Sequence, residues 1–234
     1  MMRYAPITAC VCLLLTALPA AAQSQPLAGE WVSYRDAYRA MVLFDKYGGA
    51  KNLLQTHLQV APKEKGVLGE GVQLVLSGKS VQTSLPLDAT GRGTLPLLKA
   101  AYDENAVLAP SRRLGGFVIR PRVSLAPRAD GAYDLAELRT ACEQALGFAR
   151  YADATARGRQ CAGVRLVFAR KGVGAAVRVR RPDGAEQALP VARGPAFAGD
   201  LDDDFPVVVY RFAAAERGQL ISYNAPLAIV PLFE

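Results

Sequence analysis

The chain has 234 residues, 51% hydrophobic and 21% charged, with a formal net charge of +7 at neutral pH. Apolar content at that level excludes an intrinsically disordered chain, and one histidine, with two of the four cysteines in the N-terminal segment and the other two expected to pair, leaves too few ligands for a zinc site built from several His and Cys. The arginines are dispersed, clustering only at Arg112-Arg113 and at Arg178, Arg180 and Arg181, which excludes the basic stripe with interleaved aromatics that binds nucleic acid.

The first segment is a leader. Arg3 supplies a basic start, residues 7–18 form an uncharged apolar run, Pro19 breaks it, and Ala20-Ala21-Ala22 gives a small-residue cleavage site. Residues 1–22 therefore read as a secretory signal peptide, with a mature start at Gln23 and a periplasmic or secreted destination. The run is too short to cross a bilayer and no later stretch is long and apolar enough, so no transmembrane span is expected. Cys10 and Cys12 leave with the leader. The remaining pair, Cys142 and Cys161, is expected to form one disulfide in an oxidising compartment.

Residues 33–47 have the period of a helix, with Tyr34, Tyr38, Met41 and Val42 on one face, Ser33 as cap and Gly48-Gly49 as stop. From Leu54 the period becomes two. Leu54, Thr56, Leu58 and Val60 alternate with Gln55, His57 and Gln59, which describes a half-buried strand with a polar outer face. Strands are expected at 72–76 and 81–87, around the turn 77–80, and at 94–98, followed by a helical turn in 97–103. Residues 117–125 read as a strand that Pro121 assigns to an edge or a bulge. Residues 134–152 form the clearest helix, with Leu135, Leu138, Cys142, Ala145, Leu146 and Ala149 on one stripe. Strands follow at 164–169, 173–181, 189–191, 207–212, 220–223 and 227–232.

This order predicts an α+β, β-dominant fold: antiparallel sheets, sandwich-like or curved, with two flanking helices. The halves 23–130 and 131–234 echo each other, each opening on a helix. Each then carries a GVxLV phrase (residues 71–75 and 163–167) and a Leu-Pro pair (Leu95-Pro96 and Leu189-Pro190). A duplicated helix-plus-sheet unit is consistent with that echo.

The motifs exclude more chemistry than they propose. His57 stands between polar neighbours, and no nucleophile elbow occurs to pair with it. Gly78-Lys79-Ser80 ends like a phosphate-binding loop, but Gln73 occupies the position of the required glycine. Asp200, Asp202, Asp203 and Asp204 offer hard oxygen ligands for a weak Ca²⁺ site, although Phe205 stands where an EF-hand loop needs glycine. A glycoside hydrolase needs two carboxylates, for which Asp183, Asp202, Asp203, Asp204 and Glu216 are available. No cofactor is implied. Tyr210 and Phe212 fall in phase on one strand face, as core residues would.

The leader, the helical stretch YRDAYRAMVLFDKY, the strand LLQTHLQVAP and the phrase LVLSGKSVQTSLPLDATGRGTLPL resemble small exported bacterial proteins assigned to domains of unknown function. The resemblance implies no catalytic residue. The expectation is a non-enzymatic binding protein of the cell envelope, with an envelope protein or a glycan as partner. Trp31, Tyr34, Gln55, His57 and Gln59 form its candidate contact surface. An exported carboxylate-dependent hydrolase and a Ca²⁺-stabilised module are the alternatives.

Overall fold

The computed structural model describes residues 31–64, 68–172, 174–214 and 217–234; the expected leader, the expected mature start at Gln23 and Glu216 lie outside them. The first half runs β1 (Val32–Ser33), α1 (Tyr34–Lys46), β2 (Leu54–Pro62), β3 (Gln73–Ser77), β4 (Gln82–Pro86), β5 (Arg92–Gly93), α2 (Lys99–Asp103), β6 (Val107–Pro110) and β7 (Phe117–Leu125). The second runs β8 (Ala132–Asp134), α3 (Leu135–Ala152), β9 (Cys161–Val167), β10 (Val177–Arg180), β11 (Glu186–Ala188), β12 (Val191–Gly194), β13 (Phe205–Arg211), β14 (Gln219–Ser222) and β15 (Ala228–Phe233). The fold is α+β and β-dominant, as expected. Among the described residues no helix is long and apolar enough to cross a membrane.

Three antiparallel sheets carry the duplication. Two four-stranded sheets have orders β1-β6-β3-β4 and β8-β14-β10-β11, and a seven-stranded central sheet has order β12-β13-β9-β15-β7-β2-β5. The small sheets match strand for strand and in register. Val32 pairs with Leu108 as Tyr133 pairs with Leu220, and Leu76 opposes Leu108 as Val179 opposes Leu220. The first helical N–H leaves each helix in the same way: Tyr34 donates to Ala106 O just before β6, and Leu135 to Gly218 O just before β14. The buried stripe repeats as well, with Tyr34, Ala37, Met41 and Phe44 of α1 at the turns held by Leu135, Leu138, Cys142 and Ala145 of α3. The two halves meet at β7 and β15 in the middle of the central sheet.

The phrases that suggested the repeat are not its equivalent parts. Gly71 leads into β3 of a small sheet, whereas Gly163 lies within β9 of the central sheet. The Leu-Pro pair equivalent to Leu189-Pro190 is Leu85-Pro86. Leu85 pairs with Leu74, and Leu189 N–H donates to Val177 O at the matching place on β10. Leu95-Pro96, in an expected strand, is irregular chain. Leu95 is buried and Pro96 O accepts from the Tyr34 hydroxyl, so the segment is held by side-chain contacts instead of a ladder. Pro121 sits inside the central sheet, where β7 pairs fully with β2 but touches β15 at the single pair Leu125–Ile229. The missing N–H therefore costs the β15 ladder nothing.

Each half has its own core between helix and sheets. One cluster gathers Tyr34, Met41, Leu58, Val60, Leu74, Leu76 and Leu108, all from the first half. The other joins Leu138, Val164, Leu166, Val179, Val208 and Leu220 to Phe44, Leu54 and Leu125. A third, with Val167, Phe197, Phe205, Val207 and Val230, lies on the opposite face of the central sheet. Gly163 is required where β9 approaches β13: a Cβ there would stand 2.1 Å from Tyr210 O.

Candidate functional site

Strand β2 divides its side chains as the period of two dictates. Leu54, Leu58 and Val60 join the helix-side cores, so Gln55, His57 and Gln59 face the other way. At Gln59 that polar face is covered by the connection 195–204 between β12 and β13, the strap, while Gln55 and His57 stay half-buried. Gln59 is consequently only 2% exposed.

The network under the strap is built from a tight turn. Asp88 Oδ1 accepts from Thr90 N at 2.8 Å, Thr90 Oγ1 at 2.6 Å and Arg92 N at 3.0 Å, an Asx-type closure that sets up β5. Gly91, at φ +77°, sits 2.3 Å from Val60 O measured to the Cβ it lacks, so the turn packs directly on β2. Arg92 Nη2 reaches Asp88 Oδ2 at 2.8 Å and also donates to Leu227 O, while Nη1 reaches Ser124 Oγ at 3.4 Å. One side chain thus binds β5 to β7 and to the second half.

Gln59 links this turn to the strap. Its Nε2 donates to Thr90 O at 3.0 Å and to Asp200 Oδ2 at 2.9 Å, and its Oε1 accepts from Arg122 Nε at 2.6 Å. Arg122 Nη2 donates to Asp200 Oδ1 at 2.7 Å, and Phe197 N–H to Asp200 Oδ2 at 3.2 Å. The Phe197 ring lies 4.9 Å from the Arg122 guanidinium and 5.6 Å from that of Arg92, a cation–π arrangement. Burial pulls the Arg122 pKa below its ordinary value, with Asp200 opposing that shift and Arg120 adding to it.

His57 stands opposite Arg122 in the β2–β7 ladder. Its Nδ1 is buried with no hydrogen-bond partner among the described residues. Burial lowers its pKa below the ordinary 6.5, the Arg92 charge lowers it further, and Asp88 partly offsets this. The unfolded chain therefore binds the proton more readily. Stability should be complete above pH 6.5 and fall as pH drops through the lowered native pKa. His57→Gln should flatten that dependence in urea unfolding between pH 7.5 and 5. A variant with the wild-type slope would show that His57 is not its source.

The other expected site residues are dispersed. Trp31 is 44% exposed, but Tyr34 is fully buried, its hydroxyl donating to Pro96 O at 2.6 Å and accepting from Leu98 N at 2.7 Å. Tyr34 and Gln59 therefore belong to the interior and offer no contact surface. The acidic run splits between arginines: Asp200 to Arg122, Asp202 to Arg170, and Asp204 3.5 Å from Arg193. Asp203 is exposed beside them. No group of three His, Cys, Asp or Glu is arranged to hold a metal among the described residues. Cys142 and Cys161 form the expected disulfide, Cα atoms 6.0 Å apart, joining α3 to the first residue of β9. A cleft of about 260 Å³ opens beside Leu135, Arg139, Tyr210 and Phe212. The helix N-terminus there is occupied, since Ala136 and Glu137 donate to the Asp134 cap and Leu135 to Gly218.

The most open strand surface is one that the sequence reading missed. β11 is the edge of a small sheet and β12 the edge of the central sheet. They follow one another through Leu189-Pro190, and residues 186–193 are exposed except Leu189. Leu189 N–H donates inward to Val177 O, so the main chain of Ala188 turns outward. Pro206 gives its carbonyl to Phe168, away from β12. Val207 and Ala192 are then the hydrogen-bonded pair, and Val191 and Arg193 turn outward. Val191 is 50% exposed. The sequence signal is faint: EQALPVAR lacks the alternation that marks a half-buried strand. No family model matches the chain, and no curated protein or solved structure matches it.

Proposed function

We propose that this chain is an exported, non-enzymatic binding protein of the cell envelope that takes an extended segment of a partner protein onto the edge 186–193. The observation that carries the reading is that edge: two consecutive strands, in two sheets, each paired on one side and each turning main-chain groups outward. Strand addition draws its affinity from such groups and its selectivity from flanking side chains. Natural edges are blunted against unwanted pairing, and Pro190 and the charges of Glu186 and Arg193 limit this one without covering it. The apolar leader pattern and the Cys142–Cys161 disulfide agree with an oxidising, exported setting.

The test uses the full chain in its native envelope, with a photo-crosslinking residue at Ala188 or, as control, at Asp45 on α1. A single adduct is expected from position 188 and none from 45. Val191→Pro removes one outward N–H, which an edge strand tolerates. It should reduce the adduct by at least about tenfold, equivalent to one or two main-chain bonds, with thermal stability nearly unchanged. Equal adducts from both positions, or an adduct indifferent to Val191→Pro in a folded protein, would reject the edge as the binding surface.

A further inference from the structure

We infer that Gln59 and Arg122 form a carboxylate-recognition site, that Asp200 of the strap fills it in cis, and that an acidic group of a bound protein can take its place. The inference goes beyond the strand-edge reading and does not depend on it.

Host and guest belong to different parts of the molecule. The host groups stand on β2 and β7, paired with each other over nine residue pairs from Leu54–Leu125 to Pro62–Phe117. Two bonds outside the strap orient them, besides the Phe197 ring of the strap that lies against Arg122. Gln59 Nε2 is held on Thr90 O at 3.0 Å, and Gln59 Oε1 holds Arg122 Nε at 2.6 Å. This leaves one amide N–H and the Arg122 Nη2 aimed at the same place, where the two Asp200 oxygens sit at 2.9 and 2.7 Å. A fork of this kind matches the planar carboxylate.

The guest arrives on a connection of a different character. Between Gly194 and Phe205, the last pair of the β12–β13 hairpin, lie residues 195–204, against the roughly two to five residues usual for such loops. Leu201, next to the guest carboxylate, is 49% exposed. A cavity of about 30 Å³ lies beside Asp200 against Gln59 and Thr90, enough for a water molecule. The strap therefore does not fill the space its carboxylate enters. Beyond Asp200 the strap is anchored on its N-terminal side by Ala196 and Phe197, buried in the third core cluster, and by Arg165 to Pro195 O at 3.0 Å, and on its C-terminal side by the Arg170–Asp202 pair, so the carboxylate lies on the stretch between these anchors.

The test removes the guest and supplies another. In Asp200→Ala, 100 mM sodium acetate should raise the melting temperature by about 4 °C over sodium chloride of equal ionic strength, as expected for a tenfold shift of the folding equilibrium by a ligand with a Kd of about 10 mM. The rise should vanish in Asp200→Ala/Arg122→Gln. N-acetylglycine, run in parallel, separates the sources: a larger effect than acetate's identifies a chain-terminal carboxylate, an equal or smaller one an acidic side chain. In the wild-type protein the same N-acetylglycine should speed hydrogen exchange of the Phe197 amide at least fivefold, since that amide is bonded to Asp200. This second measurement stands even if Asp200→Ala does not fold. No acetate response in a folded Asp200→Ala, a response that survives loss of Arg122, or unchanged Phe197 exchange would each overturn the inference.

Discussion

Replacing Arg92 with alanine is expected to lower the melting temperature by about 9 °C, the effect of losing about 3 kcal/mol in a chain of this size. Arg92 is 5% exposed, and its guanidinium serves Asp88, Thr90, Ser124 and Leu227 O together. Truncation leaves the Asp88 carboxylate, whose side chain keeps 29% exposure, without its cation, and leaves Leu227 O without its donor. Solvent access to Asp88 keeps the loss below that of a fully buried pair. A thermal melt with Asp88→Ala and the double variant completes a cycle. The double variant should be more stable than the sum of the singles by about 1 kcal/mol, because the charge that Arg92→Ala strands is then gone. Strict additivity would mean that Arg92 acts through Ser124, Leu227 O and Phe197 and not through Asp88.

The parts of the fold that depend on local pattern were legible in the sequence. Both long helices and the two-residue period of β2 follow from the spacing of apolar residues. The helix ends needed the structure: Ser33 makes no side-chain cap bond, whereas Asp134, read as the first helical residue, caps α3 through Ala136 and Glu137. The duplication was visible as an echo but aligned on the wrong phrases, because GVxLV describes any buried strand while the true equivalence lies in register. Short strands such as β1 and β5 owe their existence to partners distant in sequence, and no period fits in their two residues or in the three of β11, which closes a hairpin on β10. The polar face of β2 was placed correctly on its strand. That its Gln59 end would be roofed by residues 195–204 was not readable, since the closing contacts, Gln59 and Arg122 to Asp200, span 141 and 78 positions. The acidic run looked like a ligand set because a sequence shows carboxylates together and not the arginines that separate them.

The two halves hold their helices by different means, and this decides what the disulfide contributes. In α1 the position equivalent to Cys142 is Met41, a plain core residue, and the helix C-terminus is tied by Lys51. Its ammonium donates to Phe44 O at 2.8 Å, Asp45 O at 2.7 Å and Tyr47 O at 2.9 Å, a favourable charge at that end of the dipole. In α3 the buried Cys142 is bonded to Cys161 across 19 positions. Closing such a loop stabilises by about 3 kcal/mol in the chain-entropy model. Cys142→Ser with Cys161→Ser should therefore lower the melting temperature by about 9 °C, and reduction of the wild-type protein should shift its midpoint to nearly the same value. The loss should also be local. The first-half core contains no residue of α3 or β9, so amide exchange should accelerate across Leu138–Leu146 and Val164–Leu166 before it does at Leu74 and Leu76. Superimposable melts of oxidised and reduced protein would show that packing of Leu138, Leu146 and Val164 alone fixes α3, as packing and Lys51 fix α1. Uniform acceleration across both halves would show that the central sheet couples them into one cooperative unit.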